Sequence, residues 1–134
     1  MRAYLEDEEG HEEARALLAD AECDAVTGAW SRIEVSGALV RAARAGRIDL
    51  EGLLELLDQE VTGQVTLVRA DPESVEAFSL DLVRARGLRA LDAWHLATAQ
   101  LTVPALAEPS EAIGFATRDE DQGAAAEALG FVRI

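Results

Sequence analysis

Short runs rich in β-branched and aromatic residues alternate along the chain with longer runs that suit helices. The short runs are bounded by glycine, proline and polar residues and predict strands, while the longer ones carry apolar residues at helical spacing. Predicted strands cover 23–29, 64–70, 113–117 and 131–134, and predicted helices cover 30–45, 50–61, 72–86 and 121–130. Asp92 opens or lies early in one more predicted helix, which runs to about Leu101. This alternation is typical of an α/β domain with a mostly parallel sheet, because a helix supplies the crossover between parallel strands.

The first 20 residues depart from this alternation. Met1–Asp20 predicts a helix with an interruption near Gly10, and no strand pattern precedes it. Parallel α/β domains usually open with a strand, which often lies in the middle of the sheet. Since 134 residues suit one domain, we expect a single α/β domain over residues 1–134 whose first strand is missing.

Composition excludes several classes of function. The chain contains no lysine and no asparagine, so Schiff-base chemistry and a P-loop lysine are excluded. A net charge of −14 repels nucleic acid at long range, so a nucleic-acid enzyme with this charge needs local arginines, bound cations or a basic partner. Apolar runs stay well below the roughly 20 residues of a membrane helix. We expect neither a membrane span nor a secretory signal, and the single Cys23 fits a reducing cytoplasm.

Among the many acids, three lie in apolar or small-residue surroundings, where a carboxylate is costly unless it is paired or bound to a cation. The first is Glu34, which shares a predicted helical face with Trp30, Gly37 and Ala38. A pair with Arg41 is its structural alternative to a functional role.

The other two acids, Asp92 and Asp119, stand near the start of predicted helices. Asp92 suits an N-cap before "AWHLATA" and Asp119 suits a capping box with Gln122, but each equally suits metal binding. Asp119 follows a predicted strand, where open α/β sheets place their ligands, and Glu120 and Asp121 are rival ligands there. Carboxylates from separated segments, without a histidine or cysteine set, favour a hard cation such as Mg²⁺ or Mn²⁺.

Three arginines come shortly before Asp92. Arg84, Arg86 and Arg89 are candidates for phosphate contacts beside the acids. An arginine-bearing solvated loop is the alternative interpretation.

Three stretches carry a resemblance to a known family. "SRIEVSGALVRAARAG", "RGLRALDAWHLATA" and "FATRDEDQGAAAEALGF" resemble, in order and spacing, the downstream acidic motifs of PIN-domain ribonucleases, and most closely those of VapC-type toxins. The resemblance implies a three-layer α/β/α fold around a parallel sheet. It also implies that Glu34, Asp92 and Asp119 are the second, third and fourth acids of a set that binds Mg²⁺ or Mn²⁺, with Thr117 at a polar position of the same pocket.

The function implied by the resemblance is metal-dependent hydrolysis of RNA phosphodiester bonds by a cytoplasmic toxin. Its implied partners are RNA, a cognate antitoxin protein and a second copy of the chain in a homodimer. The family's first strand and first acid have no counterpart here, because "MRAYLEDEEG" resembles the family segment that comes directly after them. The alternative is therefore a catalytically impaired PIN-like module that still binds an antitoxin or another partner.

The opening of the chain gives the first prediction. Met1 falls where the family commonly has valine, and a GTG valine codon can be taken for a start codon in a GC-rich genome. We expect the DNA upstream of Met1 to encode, in frame, a strand followed by an Asp-x-Ser/Thr motif. An immediate in-frame stop codon upstream would contradict this expectation.

Overall fold

The computed structural model describes residues 2–134, apart from the side chains of Arg2, Val61 and Thr62. Helices and short strands alternate along it, which confirms the predicted mixed α/β class. Helices are α1 His11–Ala19, α2 Trp30–Arg44, α3 Leu50–Gly63, α4 Pro72–Arg86, α5 Ala90–Thr102 and α6 Glu120–Ala128. Strands are β1 Val26–Gly28, β2 Thr66–Val68, β3 Gly114–Phe115 and β4 Val132–Arg133, and 3₁₀ segments occupy Arg2–Tyr4 and Val103–Ala105.

Helix α4 has the bounds that the sequence predicts, because both of its ends are encoded locally. Pro72 occupies the first turn, and the Asp71 carboxylate accepts hydrogen bonds from the backbone N–H of Ser74 at 2.9 Å and from its hydroxyl at 2.8 Å. These bonds hold the pKa of Asp71 below its usual range. At the other end, Gly87 adopts φ 71° and its N–H donates to the Val83 oxygen at 2.9 Å.

Other predicted bounds need correction. Within the predicted helix 1–20, the α-helix covers only His11–Ala19, and the 3₁₀ segment Arg2–Tyr4 and turns precede it; Met1 lies outside the described part. The predicted interruption near Gly10 is confirmed, because Gly10 takes φ 80°. Helix α5 begins at Ala90, so Asp92 does not open the helix but lies early in it, which is the other of the two predicted alternatives. The strands are shorter than predicted, with two or three residues each. A run of β-branched residues indicates that a segment suits a sheet, but it does not indicate how many of its residues pair with a neighbouring strand.

The strands pair in two separate two-stranded sheets. β1 pairs with β2, next to a hydrogen bond of 2.9 Å from the Thr66 N–H to the Ala25 oxygen. β3 runs parallel to β4, with Gly114 opposite Val132, and α6 makes the crossover between them. The three-layer arrangement with a single parallel sheet stays a prediction.

The chain divides into two compact units, Met1–Leu67 and Val68–Ile134. In the first unit, α2 presents Val35, Leu39 and Ala42 on one stripe at positions i, i+4 and i+7. This stripe belongs to a buried cluster with Leu57 of α3 and with Leu5, which follows the first 3₁₀ segment.

A buried ion pair lies in this first unit. Glu60 of α3 is buried, and the Arg15 guanidinium donates to its Oε1 at 2.6 Å. Burial and a hydrogen bond to Glu60 raise the pKa of the Tyr4 hydroxyl above its usual range. The pair connects α1 to α3 through a carboxylate that would be costly without its partner.

The second unit is built around α4, α5 and α6. Val75 and Leu82 of α4 belong to one buried cluster with Leu96 of α5, and Leu88 in the short α4–α5 connection is buried in the same cluster. Small buried residues on α5 and α6 let these helices approach closely; they are Ala93, Ala97, Ala125 and Ala126. The rings of Phe115 and Phe131 pack together, with 5.7 Å between their centroids. Within residues 2–134, the helices are too short or too polar to traverse a lipid bilayer.

The two leucines of α5 provide a matched test of this core. Leu96 is 0% exposed and Leu101 is 43% exposed. We expect Leu96→Ala to lower the free energy of unfolding by about 2–5 kcal/mol, because it leaves a cavity in the second unit. Leu101→Ala should cost less than about 1 kcal/mol. Urea unfolding followed by circular dichroism measures both, and equal losses would contradict the assigned core.

Candidate functional site

Asp92 lies in the first turn of α5 and is not its N-cap. Gly87 ends α4 in the left-handed region and Arg89 is extended, so α5 starts at Ala90 and the N-cap position falls on Arg89. The predicted N-cap role of Asp92 is therefore wrong. Asp92 nevertheless lies in the first turn, at the positive end of the helix dipole.

Asp119 is the N-cap of α6, as the sequence predicts. Its Oδ1 accepts a hydrogen bond from the backbone N–H of Gln122 at 2.9 Å. The reciprocal half of the predicted capping box is replaced, because the Asp119 N–H donates at 3.1 Å to the hydroxyl of Thr117. The cap therefore occupies Oδ1 of Asp119 and leaves Oδ2 for another partner.

Arg89 brings these two acids to one point. Its Nε donates to Asp92 Oδ2 at 2.6 Å, and its Nη2 donates to Asp119 Oδ2 at 2.9 Å. Both carboxylates are part-buried, whereas the Arg89 side chain is 75% exposed. Two carboxylates from separate helices thus share a single guanidinium, and the two hydrogen bonds use the fork geometry of arginine.

A buried amide fixes the backbone under the two acids. Gln122 is buried, and its Nε2 donates to the backbone oxygen of Asp92 at 3.0 Å. Its Oε1 accepts from the Thr117 hydroxyl at 2.6 Å. The side chain therefore joins the start of α5 to the start of α6, and Thr117 couples it to the loop that precedes Asp119.

The neighbouring carboxylates change the pKa of Arg89. The hydrogen bond to Asp92 raises the pKa of Arg89, and the charges of Asp92, Asp119 and Asp121 raise it further. Arg89 is protonated at every accessible pH in any case. Asp121 is exposed on the first turn of α6 and contributes to the same negative field. We name Asp92 and Asp119, together with Arg89, the acid pair site.

Glu34 and Arg86 are the remaining predicted site residues. Glu34 is in α2 of the first unit, part-buried and engaged by another group of the chain. An added Cβ on Gly37 would lie 3.2 Å from Nη1 of Arg41, so this guanidinium folds back along the helix toward the turn that follows Glu34. Arg86 is exposed in the last turn of α4, and in the described part of the chain no ion pair involves it.

The acid pair fits a hard divalent cation in donor chemistry. Mg²⁺ commonly binds through one or two carboxylates plus waters and substrate phosphate, so two converging aspartates are a sufficient protein contribution. The described residues contain no cluster of three or more acidic, histidine or cysteine side chains arranged for metal binding. Asp92 and Asp119 are two residues that could hold such an ion, and Arg89 is the cation that they bind in this structure.

Comparison of the chain with protein-family models, with curated proteins and with solved structures finds no match.

Two polar residues were missed by reasoning from the sequence. Glu60 lies on the apolar stripe of α3, three residues after Leu57 and seven after Leu53, and this spacing is a readable signal of a buried acid. For Gln122, the sequence predicts a partnership with the Asp119 cap alone. Its side-chain bond to Asp92 depends on the tertiary approach of α5 and α6, and the small residues that follow it in "GAAAEAL" are the available hint.

The pH dependence of stability in Gln122 variants tests this network. Gln122→Glu removes the donor to the Asp92 oxygen and adds a buried negative charge near two aspartates. We expect it to lower the free energy of unfolding at pH 7 by about 1–3 kcal/mol. Burial raises the pKa of the new carboxyl in the folded state, so the loss applies above that pKa and shrinks as pH falls toward about 4.3, the usual value for glutamate.

Gln122→Met is the control, because it removes both hydrogen bonds without adding a charge. The decrease in the free energy of unfolding that Gln122→Met causes should stay nearly constant between pH 7 and pH 4. Urea unfolding at several pH values gives both profiles. Parallel profiles for the two variants would show that Gln122 does not lie in the field of the acids.

Proposed function

We propose that the chain is a Mg²⁺- or Mn²⁺-dependent endoribonuclease of the VapC-type toxin class, with the acid pair site as its metal centre. The observation that carries the proposal is the convergence of Asp92 and Asp119 on one guanidinium. These residues lie at the starts of α5 and α6, which begin 30 residues apart, and they are two of the acids that the family resemblance selects. Their juxtaposition supports a shared cation site.

The roles of the residues follow from their contacts. Asp92 and Asp119 would hold the ion, which would supply Lewis-acid activation of water and charge compensation at the scissile phosphate. Gln122 and Thr117 hydrogen-bond to the backbone of the two aspartates, and the Gln122 N–H donates to the Asp119 carboxylate, so these contacts hold the segments that carry the acids. Positioning by neutral groups suits such a site, since it adds no further charge beside the acids.

The acidity of the chain limits how RNA is bound. A net charge of −14 gives no general attraction for phosphate. Affinity must come from the ion and from a few arginines near it. Arg89 is adjacent to the acids, and Arg86 lies at the end of α4 three residues earlier, so we assign phosphate contacts to these two residues.

The proposal extends to the features that the resemblance alone implies. These are a PIN-like three-layer arrangement over residues 1–134, Glu34 as a further acid of the set, homodimer formation and neutralisation by a cognate antitoxin. The mixed α/β class and the parallel β3–α6–β4 crossover are compatible with such a fold.

A catalytically impaired binding module is the second candidate, and one observation favours it. Trp30 and Ile33 lie one turn apart on α2 and are 48% and 62% exposed. Large apolar side chains exposed together are commonly found where a partner protein binds. A module of this kind would need neither the metal nor an intact acid pair.

Substitution of the acids distinguishes the two candidates. We expect wild-type protein to bind Mn²⁺ and to cleave a mixture of end-labelled single-stranded and hairpin RNAs when Mn²⁺ is present. Asp92→Asn and Asp119→Asn should each reduce cleavage at least about a hundredfold, because each removes a ligand of the ion.

Asp121→Asn is the matched control for these substitutions. It removes the same charge from an exposed acid in the first turn of α6 and should leave cleavage within about threefold. If Asp121→Asn abolishes cleavage and Asp119→Asn does not, the rival ligand is the correct one. If the wild type neither binds Mn²⁺ nor cleaves any RNA, the ribonuclease proposal is rejected in favour of the binding module.

A further inference from the structure

Arg89 occupies the carboxylate atoms that a metal ion would use. Its two hydrogen bonds end on Oδ2 of Asp92 and on Oδ2 of Asp119, so one guanidinium engages both acids at once. Oδ1 of Asp119 is already committed to the cap of α6. Oδ2 of Asp119 is therefore the oxygen that arginine and a metal ion would both need.

We infer that Arg89 and the divalent cation exclude one another at the acid pair site, so that the chain blocks its own metal centre until the ion displaces the arginine. This inference rests on the proposed function, since it presumes that the acid pair binds a divalent cation. It adds a regulatory element to that site: the chain carries its own competing cation, three residues from one ligand.

Exposure makes this exchange feasible. Arg89 is 75% exposed, so its ion pairs are screened by water and salt and hold the side chain only weakly. Its displaced guanidinium can be solvated fully, without leaving a buried charge behind. A doubly charged ion attracts the same two carboxylates more strongly than a single guanidinium does. Metal binding therefore proceeds, but at an affinity lowered by the fraction of molecules in which Arg89 is docked.

After exchange, Arg89 remains beside the site. Its backbone oxygen accepts a hydrogen bond of 2.9 Å from the Ala93 N–H, which fixes the residue at the start of α5 while its side chain moves. A guanidinium released from carboxylates has its planar donor fork free for phosphate oxygens. The same side chain thus serves the acids before metal binding and the phosphate of the substrate after it.

Mn²⁺ titration by calorimetry on the full chain tests the inference without any measurement of activity. We expect Arg89→Gln to bind Mn²⁺ about three- to tenfold more tightly than the wild type, because the competing cation is gone. Arg89→Lys keeps the charge but loses the two-pronged contact, so its affinity should lie between those of the wild type and Arg89→Gln. Asp92→Asn should abolish the binding in every background.

Arg84→Gln is the matched control, since it removes the same charge from an exposed arginine in the last turn of α4. It should change Mn²⁺ affinity by no more than about twofold. Equal tightening in Arg84→Gln and Arg89→Gln would attribute the effect to net charge and overturn the inference. Unchanged or weaker binding in Arg89→Gln, with Asp92-dependent binding in the wild type, would overturn it and leave the metal centre intact. Absence of Mn²⁺ binding in both would reject the metal centre itself.

Discussion

The buried amide of Gln122 is the interaction on which the acid pair site depends. Its side chain donates to the backbone of Asp92, and its own N–H donates to the carboxylate of Asp119. Two part-buried carboxylates repel each other through a medium less polarisable than water, so they need a reason to stay together. Neutral hydrogen bonds at Gln122 hold the helix starts in place, and the exposed Arg89 compensates the charge that results.

Arginine is scarce in this chain relative to the acids, with 12 arginines for 26 acidic residues, and several arginines are bound to carboxylates. Arg47 also contacts two acids, Asp7 and Glu8, and its hydrogen bond holds the pKa of Asp7 below its usual range. Those two acids are neighbours in sequence, so a shared turn suffices to bring them together. The acids that share Arg89 belong to different helices, and only the tertiary fold can make them converge. Convergence of that kind is what distinguishes a candidate site from a surface charge cluster.

Local signals decided which parts of this structure could be predicted from the sequence. The bounds of Pro72–Arg86 are predictable because proline, an aspartate cap and Gly87 mark both ends, and the Asp119 cap is predictable for the same kind of reason. The N-cap alternative for Asp92 was predicted because aspartate is a good N-cap by residue type. Its side chain binds Arg89 instead. The bond from Arg89 across 30 residues was not predictable, because sequence patterns describe a face or an end of a helix and not which ends meet.

The buried Glu60 shows why exposure, and not burial, identifies the acids that can exchange cations. Glu60 is the more deeply buried carboxylate, and it binds Arg15 at 2.6 Å. Removal of that arginine would leave a desolvated carboxylate without its partner, which is costly. At Asp92 and Asp119 the bound arginine is mostly solvated already, so its release removes little buried contact. The proposed exchange of Arg89 for a metal ion requires a carboxylate pair of this kind, whose bound cation is exposed and not part of the core.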